Sequence, residues 1–165
     1  VGQENEGWRV TQLRAGFERS SSGAIMMMLR QLEELVQYCN ETRVGGKLLA
    51  HDPLIRNRLA QAACEIEALR CLGYRIADAQ ERNEMAGFEA SGVHILASEL
   101  QERLAWLGAD ILGPYGQVRR SRWSPFQGWY EKWYQQSFVL FIAMGTNEIQ
   151  RNIISWYGLG LPRMK

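Results

Sequence analysis

Gly145 and Thr146 open a segment near the end of the printed sequence whose residue types suit contact with an anionic ligand. A glycine has no side chain to hold a ligand away from the backbone, and a threonine hydroxyl caps helices. The helix that follows would offer free N–H groups and the positive end of its dipole, which favour a phosphate or another electron-rich group. The same pair also begins ordinary helices, so by itself it predicts only a capped helix.

The other chemically capable side chains indicate neither a metal site nor a disulfide frame. His51 stands beside Asp52 in a predicted loop, where a solvated imidazole is the simpler interpretation. His94 lies on a predicted helix with no partner at metal-ligand spacing. The cysteines are odd in number and lack CxxC spacing, which predicts buried apolar thiols in a reducing compartment: Cys39, Cys64 and Cys71. We therefore predict no bound metal.

Three long amphipathic stripes must position these residues, and each has its own start or stop signal. The first stripe ends at Gly45 and Gly46, the second begins at Asp52 followed by Pro53, and the third ends at 113–116. The stripes recur at helical spacing: Leu29, Leu32, Val36 and Cys39; Ile55, Leu59, Ala62, Ile66, Leu69, Gly73 and Ile76; Val93, Leu96, Leu100, Leu104, Leu107 and Ile111.

An aromatic-rich segment follows a polar stretch, 117–127, that is predicted to be an exposed loop. Arginines and tryptophans interleave here, which is one pattern of a nucleic-acid platform, but a fourth helix or a subunit interface is the better interpretation. The aromatic side chains are Trp129, Tyr130, Trp133, Tyr134, Phe138 and Phe141. We predict an all-α, up-down four-helix bundle with an additional C-terminal helix, without a sheet, as a single α-helical domain over residues 1–165.

Composition excludes several classes of partner. The 19 basic and 18 acidic residues give a net charge of +1, so no field directs the chain to nucleic acid. The longest apolar runs are too short to span a membrane, and no secretory signal opens the chain. We expect a cytoplasmic protein, or one of the mitochondrial matrix in a eukaryote. Because the first residue is Val1, we also expect a processed chain or part of a larger one.

Several motifs in order resemble the C-terminal α-helical domain of the acyl-CoA dehydrogenase family. Residues 1–8 resemble the family's link from its middle β-domain, and Phe17-Glu18-Arg19 falls where the first helix of this domain begins. Arg43 with 46–49 is similar to the Arg-x-x-Phe-Gly-Lys loop, and 113–116 to the Gly-Gly-x-Gly turn. The segment 145–163 matches the C-terminal signature. The resemblance implies a larger flavoenzyme whose N-terminal helical and middle β-domains are absent here.

The resemblance also implies where the catalytic base lies. Many members place a glutamate immediately before the Gly-Thr pair, but here that position is Met144. A branch acting on branched or long acyl groups carries the glutamate on the first helix, before an arginine, as in Glu18-Arg19. Glu18 is thus the implied base and Arg19 a substrate-binding residue, although Gly16 replaces the branch's usual acid or amide. Without the resemblance, Glu18 is a solvated glutamate in a first helical turn.

The implied cofactor is FAD. Arg43 would reach the pyrophosphate of a neighbouring subunit's FAD, although Gly45-Gly46 replace the family's aromatic; as an alternative it is an exposed loop arginine. The turn containing Gly113 and Gly116 would supply backbone contacts, or serve simply as a helix C-cap. Thr146 and Glu148 would meet the cofactor at the last helix. Asp110 replaces a flavin-contacting glutamine.

The implied activity is oxidation of an acyl-CoA to the 2,3-enoyl-CoA, a reaction of fatty acid β-oxidation. Partners would be an electron-transfer flavoprotein or similar acceptor, and a homodimer, homotetramer or a related subunit in a hetero-oligomer. The loss at Met144 also fits an alternative, a non-catalytic helical assembly subunit. The 165 residues alone are expected to be inactive.

Overall fold

The helices of the chain are set by the apolar stripes and by the turn residues between them. The structure, a computed structural model, describes residues 2–11, 14, 22–82 and 87–163. Residues 7–11 are helical. The main helices are α1 (Ser22–Glu41), α2 (Pro53–Glu81), α3 (Gly87–Leu112), α4 (Trp129–Gln136), α5 (Val139–Ile142) and α6 (Asn147–Ile153). Short 3-10 turns cover Leu49–His51, Gly113–Gln117 and Pro125–Gly128, and a π-helical turn, Ile154–Gly158, follows α6 directly.

The prediction of an all-α bundle is confirmed, with two differences of detail. A two-stranded antiparallel hairpin pairs β1 (Arg43–Val44) with β2 (Lys47–Leu48), because the adjacent glycines form a tight turn. The predicted fourth helix is broken into α4 and α5 at Ser137 and Phe138. Within the described part of the chain, this hairpin is the only sheet.

Contacts between side chains define the direction of the helices. Arg58 on α2 pairs with Asp110 on α3 at 2.9 Å, and Glu65 pairs with Arg103 at 2.6 Å. Because the residue numbers rise along one helix as they fall along the other, α2 and α3 are antiparallel. The core between α1, α2, α3 and α4 includes Ile25, Met28, Leu32, Leu35, Cys39, Leu59, Ile66, Leu69, Ile76, Leu100, Leu104, Leu107 and Tyr130.

Tyr130 connects α4 to this core through its buried ring and its hydroxyl. Its hydroxyl donates to the Gln31 carbonyl at 3.0 Å, and Gln101 donates to the Gln31 side chain at 3.1 Å. Burial raises the pKa of Tyr130 far above its ordinary value, so the hydroxyl stays a donor. A Cβ built on Gly108 would overlap the Tyr130 ring, which shows that α3 and α4 approach closely because position 108 has no side chain.

Some predictions from periodicity are wrong. Val36 and Leu96 are exposed, because the faces of α1 and α3 that meet the core are centred on neighbouring positions.

The prediction of buried thiols is confirmed for Cys39 but is wrong for Cys64 and Cys71, which are exposed. The predicted exposed loop 117–127 is only partly exposed, since Phe126 packs against Tyr38 with ring centroids 5.7 Å apart.

No described helix combines the length and the apolar composition that a membrane span needs.

Candidate functional site

The predicted helix start at Thr146 has an unusual turn before it. Met144 and Gly145 both have positive φ, at 59° and 95°. Thr146 caps α6, since its hydroxyl accepts a hydrogen bond from the Ile149 N–H at 3.3 Å. The capping prediction is therefore confirmed, and the turn places residue 144 beside the cap.

Two buried amides hold this turn from within. The Gln150 side chain donates to the carbonyls of Met144 and Gly145, each at 3.0 Å. Asn147 donates to the Ser98 hydroxyl on α3 at 3.0 Å, and the hydroxyl itself lies 2.9 Å from the Ile95 carbonyl. Neither amide was among the residues predicted from the sequence. Their spacing of three residues on the last helix was the available signal, because it places both on one face.

An ion-pair network fixes the outer side of α6. Arg151 pairs with Glu99 at 2.6 Å, and Arg103 lies 3.9 Å from Glu99 and 2.6 Å from Glu65. Burial opposes ionisation of Glu65, but hydrogen bonds from Arg103 and Gln61 outweigh it and hold its pKa below the ordinary value. The start of α6 is thus attached to α3 by polar contacts on two sides.

Glu148 occupies part of the N-terminus of α6, where free N–H groups were predicted. Its own backbone N–H and the Thr146 hydroxyl hold the pKa of the exposed Glu148 carboxyl below its ordinary value. An ionised carboxylate at this end is favoured by the helix dipole. A phosphate at the same N–H groups would have to displace it, so the Thr146 side of the turn is better suited to a neutral hydrogen-bonding group.

Arg43 lies on the exposed hairpin. Gly45 and Gly46 both have positive φ, at 59° and 81°, which is the backbone of a two-residue hairpin turn. One guanidinium nitrogen of Arg43 donates to the Gly46 carbonyl at 3.0 Å. This contact orients the side chain and uses only part of its five-donor fork. The remaining donors suit phosphate oxygens.

The Gly113–Gln117 turn continues from α3. Gly113 has φ 57° and is half-buried, and Gly116 is buried. A Cβ on Gly116 would lie 2.9 Å from the Ala109 carbonyl oxygen, so only glycine fits there. Asp110, at the position of the family's glutamine, pairs with Arg58. The positive φ of Gly113 supports the C-cap interpretation of this turn, and the Tyr115 side chain within it is exposed.

The predicted cofactor residues fall into two separate groups. Thr146 lies near Ser98 on α3, because its neighbour Asn147 donates a hydrogen bond to that serine. Gly113, at the end of the same helix, is about 22 Å from Ser98 along the axis at a rise of about 1.5 Å per residue. The hairpin with Arg43 precedes α2, whose first turns lie beside the end of α3, as the Arg58–Asp110 pair shows. We call Arg43 with the Gly113–Gln117 turn the end patch, and Met144 to Glu148 the middle patch.

The predicted base cannot be located relative to either patch. Glu18, Arg19 and Gly16 lie outside the described residues. A groove between α2 and α3 has a volume of about 120 Å³ and is lined by residues that include Arg58, Glu65, Arg103 and Trp106. Ligand sites for molecules of cofactor size are usually at least about 300 Å³, so this groove does not enclose one. No cluster of potential metal ligands occurs among residues 2–11, 14, 22–82 and 87–163.

Comparisons with known proteins agree with this architecture. The family described as "Acyl-CoA dehydrogenase, C-terminal domain" matches residues 5–156. The acyl-CoA dehydrogenase FadE26 of Mycobacterium tuberculosis is 30% identical over 172 residues, covering 99% of this chain and 42% of that protein. The acyl-CoA dehydrogenase IpdE1 of the same organism is 32% identical, covering 99% of this chain and 40% of that protein. The chain therefore spans about two-fifths of the length of these relatives.

Solved structures show the same fold. The ChsE4–ChsE5 complex from Mycobacterium tuberculosis contains a chain that superposes with a TM-score of 0.87 at 27% identity, covering 100% of this chain and 42% of that one. The Tcur3481–Tcur3483 steroid ACAD superposes with a TM-score of 0.85 at 27% identity, covering 99% of this chain and 42% of that one.

Proposed function

This chain belongs to the acyl-CoA dehydrogenase family through its C-terminal domain, and from that premise we propose that it serves an FAD-dependent oxidation of an acyl-CoA thioester to the 2,3-enoyl-CoA. The observation that carries the proposal is the capped turn Met144–Thr146, which places a threonine hydroxyl beside a glycine at the start of α6. FAD, when bound, supplies the acceptor for the hydride from the β-carbon. The chain supplies binding groups and a base.

The donor groups fit a shared cofactor better than one held by a single copy. The middle patch and the end patch lie about 22 Å apart along α3, and the resemblance assigns Arg43 to a neighbouring subunit's FAD. We infer that the middle patch contacts the FAD of its own subunit, while Arg43 and the backbone at Gly113 and Gly116 contact that of a neighbour. Each site is then complete only in an oligomer.

The proposed base is Glu18. Removal of the α-proton needs a carboxylate within hydrogen-bond reach of that carbon, and a thioether at Met144 cannot accept it. Arg19, next in sequence, is proposed to bind the substrate. The base takes the α-proton as the α–β double bond forms and the hydride leaves the β-carbon.

Proposed partners follow from the same premise. They are an acyl-CoA, an electron-transfer flavoprotein or similar acceptor, and a second copy or a related subunit. Two comparisons support protein partners: ChsE4 and ChsE5 form a complex, and a subunit of a caffeyl-CoA reductase–Etf complex from Acetobacterium woodii is 27% identical to this chain. The acyl group is left open.

A second candidate is a non-catalytic assembly subunit, which Met144 in place of a glutamate favours. Glu18→Gln separates the two functions in the complete flavoenzyme. If Glu18 is the base, turnover in an acyl-CoA screen falls at least ~100-fold, the usual scale for a positioned base, while flavin absorbance is retained. Glu33→Gln, an exposed glutamate on α1, is the matched control. Full activity in Glu18→Gln refutes the base assignment and favours the assembly subunit.

The 165-residue chain alone provides a further check on this proposal. We expect it to bind FAD weakly or not at all and to show no turnover, because its two patches contact the FAD of different subunits and one copy holds only part of each cofactor. Tight stoichiometric FAD binding by this chain as a monomer would contradict the shared-cofactor arrangement.

A further inference from the structure

The backbone before α6 adopts a conformation that needs outside support. Met144 and Gly145 are consecutive residues with positive φ, at 59° and 95°. Glycine tolerates this region, but a side-chain-bearing residue such as methionine is disfavoured there and persists only where its surroundings hold it. The turn also carries the side chain of residue 144 and the hydroxyl of Thr146, so its conformation sets the direction of both.

Gln150 supplies part of that support. Its side chain is fully buried, and its amide nitrogen donates to the Met144 and Gly145 carbonyls, each at 3.0 Å. Its backbone N–H donates to the Thr146 carbonyl at 2.9 Å. One residue therefore binds three consecutive carbonyls, those of 144, 145 and 146. Because both side-chain contacts are acceptors, the nitrogen rather than the oxygen of the amide must face the turn.

The side-chain amide of Gln150 binds the turn through its nitrogen. Its oxygen, Oε1, is buried and has no hydrogen-bond partner among the described residues. An unsatisfied buried acceptor is unfavourable, so the contribution of this side chain to the structure lies in its two donated bonds. The neighbouring Asn147 anchors the same turn to Ser98 on α3. The turn is thus fixed internally by Gln150 and fixed to the bundle by Asn147.

We propose that Gln150 is a positioning residue: it holds the Met144–Gly145 turn so that Thr146 meets the cofactor in one orientation. This inference rests on the proposed function, since the cofactor contact at Thr146 is part of it. Gln150 is buried and acts through the turn, without touching the cofactor. Without its two donors, the turn has to be ordered during binding, and the cost of that ordering weakens affinity.

The test compares two buried glutamines in the complete flavoenzyme. Gln150→Met removes the donors and keeps a side chain of similar length. Gln101→Met is the matched control, because Gln101 is also buried and hydrogen-bonded but lies in the bundle core, away from the turn. The measurements are the Kd for FAD, the visible absorbance of the bound flavin, the melting temperature without FAD, and hydrogen exchange of the amides around residue 145.

We expect Gln150→Met to weaken FAD binding about tenfold, the effect of roughly one net hydrogen bond, to alter the flavin spectrum and to speed exchange around residue 145. We expect Gln101→Met to lower the melting temperature and leave the Kd and the spectrum unchanged. Equal Kd values for Gln150→Met and the wild type, or equal weakening by both variants, would overturn the inference.

Gln150→Glu gives a second test if Gln150→Met does not fold. A neutral carboxyl can donate one hydrogen bond to the turn, whereas a carboxylate faces two carbonyl oxygens and repels them. We therefore expect FAD affinity in this variant to approach the wild-type value as the pH falls, and a pH-independent affinity would count against the inference. A wild-type enzyme that binds no FAD refutes the proposed function instead; hydrogen exchange around residue 145 then still decides whether Gln150 holds the turn.

Discussion

At the scale of single residues, Arg43 and Lys47 are two cations on one hairpin with different orientations. In the hairpin register, Arg43 lies opposite Leu48 and Lys47 lies opposite Val44. Residues opposite each other share a face and successive residues alternate, so the two cations extend from opposite faces of the hairpin. The guanidinium of Arg43 is oriented by the Gly46 carbonyl. Only one of the two can therefore face a given phosphate.

We predict that Arg43→Ala weakens FAD retention in the complete oligomer by about 1.5–3 kcal/mol, because one charge-assisted contact is lost. Arg43→Lys should recover part of the loss, since it keeps the charge without the planar fork. Dilution and flavin fluorescence measure the release. Lys47→Ala is the control, and an equal loss in that variant would show that net charge, and not Arg43, holds the cofactor.

Glu148 makes the start of α6 sensitive to pH. The helix N–H of Glu148 and the Thr146 hydroxyl favour the ionised carboxyl and lower its pKa. A lowered folded-state pKa means that the stabilisation is present above the ordinary carboxyl pKa and is lost as the pH falls through the lowered one. We expect the melting temperature of the wild type to exceed that of Glu148→Gln near pH 7, by a small margin because the group is exposed.

This margin should be smaller near pH 3, which lies below the ordinary glutamate pKa, and should vanish once the pH is also below the lowered one. Thermal unfolding at both pH values checks it, with Glu33→Gln as an exposed helical control. A margin that stays constant over this range would exclude ionisation of Glu148 as its cause.

At the scale of elements, the approach of α3 to α4 depends on Gly108. A Cβ at this position would overlap the Tyr130 ring, and Tyr130 also donates to α1 through the Gln31 carbonyl. Three helices are therefore connected through one ring that fits only over a glycine.

We predict that Gly108→Ala destabilises the fold by about 1–3 kcal/mol through overpacking, although alanine favours a helix more than glycine does. Gly92→Ala on the same helix is the matched control, since nothing lies within 4 Å of its added Cβ. That variant should be stabilised by up to about 1 kcal/mol. Chemical denaturation gives both values, and an unchanged stability in Gly108→Ala would show that the ring moves without cost.

At the scale of the whole molecule, an exposed apolar stripe crosses α4 and α5. Tyr134, Phe138 and Ile142 recur every fourth residue and are 52%, 56% and 63% exposed. Exposed apolar groups in a contiguous row are typical of an interface. If the cofactor is shared as proposed, the separate middle and end patches also need a second copy or a related subunit at each site.

We expect the chain to form a dimer or tetramer at micromolar concentration, measured by light scattering, and Phe138→Glu with Ile142→Glu to shift it toward the monomer. Leu54→Glu, an equally exposed apolar position at the start of α2, should leave the assembly intact. A monodisperse wild-type monomer would contradict this expectation.

The local features of this protein were predictable from the sequence. Asp52 caps α2 by accepting from the Leu54 and Ile55 N–H groups at 2.8 and 3.2 Å, as the Asp-Pro pair predicted. Thr146 caps α6 in the same way. Helix starts, stops and the glycine turn involve atoms within a few residues of one another, so the residue types alone specify them.

The relations between distant segments were decided only by the tertiary structure. Periodicity selected Val36 and Leu96 for the core, but the packing of the other helices buries neighbouring positions. The close approach at Gly108 and Tyr130, the anchoring of Asn147 on Ser98, and the separation of Arg43 from Thr146 also depend on how the helices are arranged. A stripe specifies that a helix has an apolar face, whereas the exact face that is buried, and the residues it meets, follow from the simultaneous packing of all the helices.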